Sequence, residues 1–192
     1  MYAGSSPGAD PRFGLGASAL AEEIARRGLG IVYGGGMVGL MGVVADAALA
    51  AGAPVTGVIP RALDAREVAH PGLTELVVVE TMHERKALMA ARADAFVALP
   101  GGVGTMEELI EALTWTQLAI HEKPVGVLDV VGYWGPLRAM LDRAVEARFL
   151  RPAHRASLLA DQDPAALLDA LAAWEPPALG TWVDGGPPGI RP

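Results

Sequence analysis

The chain has 192 residues, of which 52% are hydrophobic and 19% charged, and its formal net charge at pH 7 is −7. This length is typical of about one domain, and the apolar fraction is too high for a disordered chain. The acidic balance disfavours DNA and RNA as partners, because phosphate binding on that scale needs a basic surface. The sequence contains no cysteine, which excludes disulfides, thiolate metal sites and cysteine nucleophiles.

Membrane and export signals are weak. The most apolar stretch, Ala47–Pro60, contains two prolines and is too short to span a bilayer. The first residues show no basic segment followed by an apolar core, so no signal peptide is predicted. We expect a cytoplasmic protein with no membrane or nucleic-acid partner.

Short apolar runs alternate with longer, helix-compatible segments along the chain. The runs predict strands at residues 29–33, 54–59, 76–79, 94–99 and 125–128. The segments between them predict helices at 15–27, 38–51, 82–92, 105–120 and 133–148, and Asp163 is the expected N-cap of a last helix. Strands that are apolar on both faces are typical of a parallel sheet covered by helices. The alternation therefore predicts a doubly wound α/β fold.

The two ends of the chain differ from the rest. Met1-Tyr2-Ala3 runs directly into Gly4-Ser5-Ser6, so the first strand is expected to be either truncated or very short. Proline pairs and glycines cluster after Trp174. We expect one nucleotide-binding domain over residues 1–173 and a Pro/Gly-rich tail over residues 174–192.

The first glycine-rich loop matches G-x-G-x-x-G at Gly34, Gly36 and Gly39, after a predicted strand and before a predicted helix. This context is typical of dinucleotide binding. However, the acidic residue that would hold the ribose is missing from the end of the next strand, where Arg61 follows Pro60. We therefore favour the interpretation that these glycines let the helix pack closely on the sheet, or that they form a generic nucleotide-facing loop. Binding of NAD or NADP is the less favoured interpretation.

The second glycine-rich loop, Pro100-Gly101-Gly102-Val103-Gly104, lies between a predicted strand and a predicted helix. Bare backbone N–H groups and the positive end of a helix dipole favour an anion there, best a phosphate. The loop lacks the Gly-Lys-Ser/Thr of a Walker A motif, so ATP hydrolysis is not expected. Thr105 and Glu108 also match a capping box, in which Glu108 would only stabilise the helix start.

A charged turn, Met82-His83-Glu84-Arg85-Lys86, opens another predicted helix. On local sequence alone this is more simply a solvated helix start. The functional interpretation is an arginine directed at a phosphate or at a leaving group. The four histidines show no metal-ligand spacing, so no metal site is predicted.

Together, the charged turn and the segment Pro100–Glu108 resemble the Lonely guy family. These are cytokinin riboside 5′-monophosphate phosphoribohydrolases, often mislabelled as lysine decarboxylases. The likeness covers about residues 3–172 and includes the segments 4–8, 33–36, 114–117, 121–126 and 132–134. One departure is Ala3, which stands where the family usually has a cysteine.

The resemblance implies a Rossmann-like fold and a homodimer with its active sites at the interface. It implies hydrolysis of the N-glycosidic bond of an adenosine 5′-monophosphate, with or without an N6 substituent, and no cofactor. The catalytic residues carry over to Arg85 and Glu108, and Arg85 would either neutralise the phosphate or assist the leaving base. The implied substrate-binding residues are Glu67, Lys86, Gly102, Val103, Gly104, Thr105, Met106, Glu107 and Thr114.

Other functions stay open on the sequence. A carrier that binds a nucleotide or cofactor without cleaving it would share the glycine loops. A nicotinamide-dependent oxidoreductase is supported only by the G-x-G-x-x-G pattern of the first loop. Glu108 beside Arg85 favours catalysis, because a carrier gains nothing from a carboxylate near phosphate. A lysine decarboxylase is disfavoured, since Lys86 and Lys123 are the only lysines and neither lies in a recognisable pyridoxal motif. The sequence distinguishes neither AMP from N6-prenylated AMP nor hormone production from nucleotide salvage.

Overall fold

The computed structural model describes residues 1–64 and 69–176 and contains a parallel sheet of short apolar strands. Its strands are β1 (Ile31–Tyr33), β2 (Val55–Pro60), β3 (Glu75–Val79), β4 (Phe96–Ala98), β5 (Val125–Leu128) and β6 (Leu158–Asp161). They form two parallel groups, in the orders β1-β2-β3 and β4-β5-β6.

The first residues of the chain join these two groups. The Tyr2 amide donates to the Val97 carbonyl and the Leu99 amide donates to the Tyr2 carbonyl, both at 2.9 Å. On the other side, the Met1 amino group donates to the Val32 carbonyl of β1 at 2.5 Å. The expected first strand is thus a short bridge between β1 and β4, and it completes the centre of the sheet.

Helices cover both faces of the sheet. They are α1 (Arg12–Arg26), α2 (Gly39–Ala50), α3 (Arg61–Asp64), α4 (Met82–Arg92), α5 (Val103–Gln117), α6 (Gly135–Glu146), α7 (Pro152–Ala156) and α8 (Pro164–Ala172), with a 3-10 turn at Val130–Gly132. Successive strand residues point to opposite faces. Accordingly, Val97 of β4 packs in one hydrophobic cluster with α1, α2 and α8, whereas Phe96 and Ala98 pack in a second cluster with α4 and α5. The prediction of a doubly wound α/β fold is confirmed.

Several elements differ from those predicted, and the short helices α3 and α7 were not predicted at all. Helix α5 begins at Val103, before the expected Thr105. Helix α6 begins at Gly135, two residues after the expected residue 133. Strand β6 was not predicted, since Leu158–Asp161 contains no β-branched or aromatic residue. Residues 177–192 of the predicted tail lie outside the described residues.

Candidate functional site

Three glycine-containing loops meet at the carboxyl edge of the sheet. Residues 1–3 run into Gly4–Gly8, β1 runs into Gly34–Gly36, and β4 runs into Pro100–Gly104. The Gly4 amide donates to the Pro100 carbonyl at 3.1 Å and ties two of the loops together. The central strands flank the point where the strand order reverses, and doubly wound sheets bind their ligands in the crevice at that point.

A cavity of about 270 Å³ opens among these loops. This volume is close to the lower end of small-molecule sites. Its lining includes Tyr2, Ser5, Gly34, Met41, Met82, Arg85, Gly102, Val103, Gly104, Thr105, Glu107 and Glu108. The structure therefore brings both predicted catalytic residues and most of the predicted phosphate loop into one cavity.

The loop before α5 presents bare backbone to this cavity. Gly102 is the N-cap of α5, and a glycine has no side chain with which to accept from the first amides of the helix. Among the described residues, no atom lies within 4 Å of an ideal Cβ on Gly102 or Gly104. The loop itself is close-packed behind Gly101, where a Cβ would lie 2.2 Å from the Thr105 Oγ1. Free amides on an open, glycine-lined surface are suited to an anion.

Arg85 and Glu108 form a buried ion pair across the cavity. The Arg85 Nη1 lies 3.1 Å from the Glu108 Oε1, and the two side chains are only 11% and 10% exposed. The Arg85 Nε also donates to the Val58 carbonyl of β2 at 3.2 Å. Helix α4 places the arginine, and its N-cap Thr81 accepts from the Glu84 amide at 3.1 Å. The arginine is therefore held from two sides, and its guanidinium faces the glutamate.

Burial raises the pKa of Glu108 above its ordinary value, and the positive charge of Arg85 opposes that rise. A carboxylate in this position is poorly solvated yet has a cation beside it. Such a group attracts positive charge and protons more strongly than a surface glutamate does.

Gly34 makes room for this ion pair. A Cβ at this position would lie 1.9 Å from the Arg85 Nη2. At Gly39, where φ is 59°, a Cβ would lie 2.3 Å from the Ser5 backbone carbon. Two of the three glycines of the G-x-G-x-x-G pattern thus permit a close approach, by the Arg85 side chain and by the Ser5 backbone, and neither contact is the helix-on-sheet packing expected from the sequence.

The capping-box interpretation of Thr105 and Glu108 is wrong. Thr105 lies inside the first turn of α5 and is buried, while Gly102 occupies the N-cap. The helix starts earlier than expected because Val103 and Gly104 already adopt helical conformation. Glu108 is therefore not paired with a cap, and its contact is with Arg85.

Lys86 lies next to Arg85 but faces a different set of partners. Its Nζ lies 2.6 Å from the Glu107 Oε1 and 2.9 Å from the Glu111 Oε1. The hydrogen bond with Glu107, followed by the one with Glu111, raises the pKa of Lys86, although partial burial acts the other way. A substrate that contacts Lys86 would therefore have to compete with two carboxylates.

The remaining predicted binding residues lie away from the cavity or outside the described residues. Met106 is partly exposed on α5. Thr114 lies near the far end of the same helix, where its hydroxyl donates to the Ile110 carbonyl at 2.7 Å. Glu67 lies outside the described residues. Its role and those of Met106 and Thr114 stay predictions.

Sequence reasoning missed several residues of the site. Ser5, Gly34, Met41 and Met82 line the cavity, but none of them was assigned to it. The signal for Ser5 was its place directly after the first strand, because the carboxyl ends of parallel strands share one edge. The contact of Gly34 with Arg85 joins residues far apart in the chain, and no local pattern predicts it.

The described residues contain neither a cluster of metal ligands nor a membrane-spanning helix. Within 1–64 and 69–176, no group of three or more histidine, aspartate or glutamate side chains is placed to hold a metal ion. In the same part of the chain, no helix is long and apolar enough to cross a membrane.

Comparison with known proteins supports the resemblance seen in the sequence. The family model described as "Possible lysine decarboxylase" matches residues 41–171. The chain is 45% identical over 176 residues to the probable cytokinin riboside 5′-monophosphate phosphoribohydrolase LOGL2 of Oryza sativa subsp. japonica, covering 92% of this chain and 72% of that protein. It is 44% identical to the cytokinin riboside 5′-monophosphate phosphoribohydrolase LOG5 of Arabidopsis thaliana, over 92% of this chain and 77% of that one. The chain belongs to the Lonely guy family.

Solved structures confirm the Rossmann-like fold expected of a Lonely guy protein. The molybdenum cofactor carrier protein of Chlamydomonas reinhardtii superposes with a TM-score of 0.66 and 21% identity, over 88% of this chain and 91% of that one. The molybdenum cofactor binding protein of Rippkaea orientalis gives a TM-score of 0.65 and 20% identity, over 89% and 93%. At this identity the likeness concerns the fold alone.

Proposed function

We propose that this Lonely guy protein hydrolyses the N-glycosidic bond of adenosine 5′-monophosphates, with or without an N6 substituent, to free base and ribose 5-phosphate. The names of its relatives support this activity. The observation that carries the proposal is the buried Arg85–Glu108 pair in the same cavity as the open loop Gly102–Thr105. The loop is suited to binding the phosphate, and the ion pair is suited to catalysis at the N-glycosidic bond.

The phosphate binds at the loop Gly102–Thr105, where the residues at the start of α5 line the cavity. Anchoring the phosphate fixes the ribose relative to the protein. This removes much of the entropic cost of bringing the reacting carbon to the catalytic group.

Glu108 acts at the ribose. As the bond between C1′ and the base nitrogen breaks, its electron pair leaves with the base, and positive charge develops on the ribose. The ionised carboxylate stabilises that charge, orients a water molecule towards C1′ and accepts its proton as the new C–O bond forms. The departing base takes up a proton from solvent and Glu108 returns its proton to solvent, so one water is consumed with no net change in protons.

Arg85 keeps the Glu108 carboxylate ionised and correctly oriented for this step. Its guanidinium favours the ionised carboxylate in a site where burial favours the protonated form. The 3.1 Å contact also fixes the direction of the carboxylate. The sequence-based roles of Arg85 towards the phosphate or the leaving base are compatible with this position at the cavity wall.

Two other functions are less well supported. A carrier on this fold would have no use for a buried, charge-paired glutamate beside its ligand. A lysine decarboxylase would need a lysine free for pyridoxal phosphate. However, Lys86 is held by two carboxylates, and the Lys123 Nζ donates to the Ala90 carbonyl at 2.8 Å.

The protein acts as a homodimer with active sites at the interface, and we propose α5 as part of that interface. Several apolar side chains of this helix and of the turn after it face solvent, namely Val103, Met106, Ile110, Leu118 and Ile120. A row of exposed apolar residues next to a ligand site is typical of a protein–protein contact. Light scattering at micromolar concentration tests this, and a purely monomeric protein would contradict it. The cytoplasmic location stays a prediction.

The decisive experiment compares AMP, N6-isopentenyl-AMP and adenosine, with chromatographic detection of the free base. We expect base release from at least one nucleotide and far slower release from adenosine, because adenosine lacks the phosphate that the loop binds. Equal turnover of AMP and adenosine would refute the role of the loop Gly102–Thr105. No base from either nucleotide would refute the activity.

A further inference from the structure

The phosphate loop is held from behind by a tyrosine on a different element. The Tyr133 hydroxyl donates a hydrogen bond to the carbonyl of Gly101. The structure contains no cis peptide among its described residues, so the Gly101–Gly102 peptide is trans. In a trans peptide the C=O and N–H bonds point in opposite directions. When Tyr133 draws the Gly101 carbonyl to one side, the Gly102 N–H must therefore face the other side.

The Gly102 amide on that other side is unused by the protein. Among the described residues, it donates no hydrogen bond. Gly102 lines the cavity and is exposed. The preceding carbonyl, that of Pro100, already accepts from the Gly4 amide. Two consecutive carbonyls of the loop are thus held on the protein side, and the free amide is available to a ligand.

The position of Tyr133 depends on a strained turn. Val131 has a φ of 49°, which is a rare conformation for a β-branched residue, and Gly132 has a φ of 76°. Buried Asp129 closes the turn, since its Oδ1 accepts from the Trp134 amide at 2.7 Å. Strain of this kind persists where the surrounding structure fixes it, and it is enriched at functional sites. Here the turn directs Tyr133 towards the loop.

Aromatic packing fixes the direction of the ring. Tyr133 makes edge-to-face contacts with Phe13 at a centroid distance of 5.7 Å and with Trp134 at 5.2 Å. Phe13 in turn lies against Gly8, where a Cβ would be 2.6 Å from its ring. The tyrosine therefore has little freedom to move its hydroxyl away from Gly101, and the same packing reaches the loop Gly4–Gly8.

We propose that Tyr133 is a positioning residue for substrate phosphate: its hydroxyl orients the Gly101–Gly102 peptide so that the Gly102 amide donates to the phosphate. This inference rests on the proposed function, because the phosphate is that of the nucleotide substrate and of the product ribose 5-phosphate. Tyr133 touches neither of them and acts through the loop.

The test uses Tyr133→Phe, which keeps the ring and removes the hydroxyl. The matched control is Ser157→Ala, because the Ser157 hydroxyl makes the same kind of bond, to the Ala153 carbonyl at 3.3 Å, and neither residue lines the cavity. For the wild type and both variants, kcat and KM are measured with AMP. The dissociation constants of ribose 5-phosphate and adenine are measured by calorimetry, which does not depend on turnover.

For Tyr133→Phe we expect the KM for AMP and the dissociation constant of ribose 5-phosphate to rise together by roughly 3- to 10-fold, the effect of one weakened hydrogen bond. The dissociation constant of adenine should stay unchanged, as should all constants of Ser157→Ala. Unchanged ribose 5-phosphate binding would overturn the inference, and so would equal weakening of ribose 5-phosphate and adenine. A wild-type protein that binds AMP but releases no base would overturn the proposed function instead, and the calorimetric comparison would still decide the role of Tyr133.

Discussion

Replacing Glu108 by glutamine separates chemistry from structure at the centre of the site. The substitution keeps the size of the side chain and an oxygen that can accept from Arg85, whose Nη1 lies 3.1 Å away. It removes the negative charge that would stabilise the ribose cation and accept a proton from water. We expect the rate of base release from AMP to fall at least ~100-fold, about 2.7 kcal/mol of transition-state stabilisation.

Stability should change far less than activity, because two effects oppose each other. Burial raises the pKa of Glu108, so the folded protein holds the proton more tightly than the unfolded chain does. The stability from this group is fully present below the unfolded pKa and is lost as the pH rises through the folded pKa. Near neutral pH, a neutral glutamine avoids that loss but weakens a charge-assisted contact worth ~1.5–3 kcal/mol. We expect a melting temperature within about 4 °C of wild type, which corresponds to a net change of about 1 kcal/mol.

Glu111→Gln is the matched control for this experiment. It makes the same chemical change on the same helix, but its carboxylate contacts Lys86 and does not line the cavity. We expect this variant to retain activity within about threefold of wild type, since a partly exposed ion pair contributes ~1 kcal/mol or less. If Glu108→Gln melts near wild type and releases base as fast as Glu111→Gln does, Glu108 is not the catalytic carboxylate.

Three further predictions concern the same site. The acidic limb of the kcat–pH profile should lie above the usual range of a glutamate, because the buried Glu108 must be ionised and its pKa is raised; a limb within the ordinary range would contradict this. Gly34→Ala should lower kcat by up to ~100-fold through displacement of the Arg85 guanidinium, whereas Gly14→Ala, with no described atom near its Cβ, should leave it unchanged; the rates with AMP decide. Prolonged treatment with EDTA should not reduce base release, and a loss that added metal restores would show a metal requirement.

The sequence predicts the fold and the anion-binding loop because both depend on local patterns, whereas Arg85 and Glu108 are assigned only through the family resemblance. Apolar runs define the parallel strands, and the glycines before α5 define an anion site at a helix start. The exact start of α5 could not be predicted, because a threonine is a better N-cap than a glycine in isolation. The structure places Gly102 at that position, since Thr105 packs against Gly101 inside the loop. Contacts such as Gly34 with Arg85 depend on the folded arrangement of distant strands, so no sequence pattern reveals them.

Two neighbouring ion pairs between α4 and α5 explain why the active pair is well placed. Arg85 and Lys86 are consecutive on α4, and Glu107 and Glu108 are consecutive on α5. Consecutive helix residues point about 100° apart, so one pair of partners, Arg85–Glu108, meets in the cavity, while the other, Lys86–Glu107, lies to one side of it and contributes only Glu107 to the lining. A slip of either helix by one residue would break both pairs at once. The pair Lys86–Glu107, extended by Glu111, therefore favours the one helix register in which Arg85 and Glu108 meet.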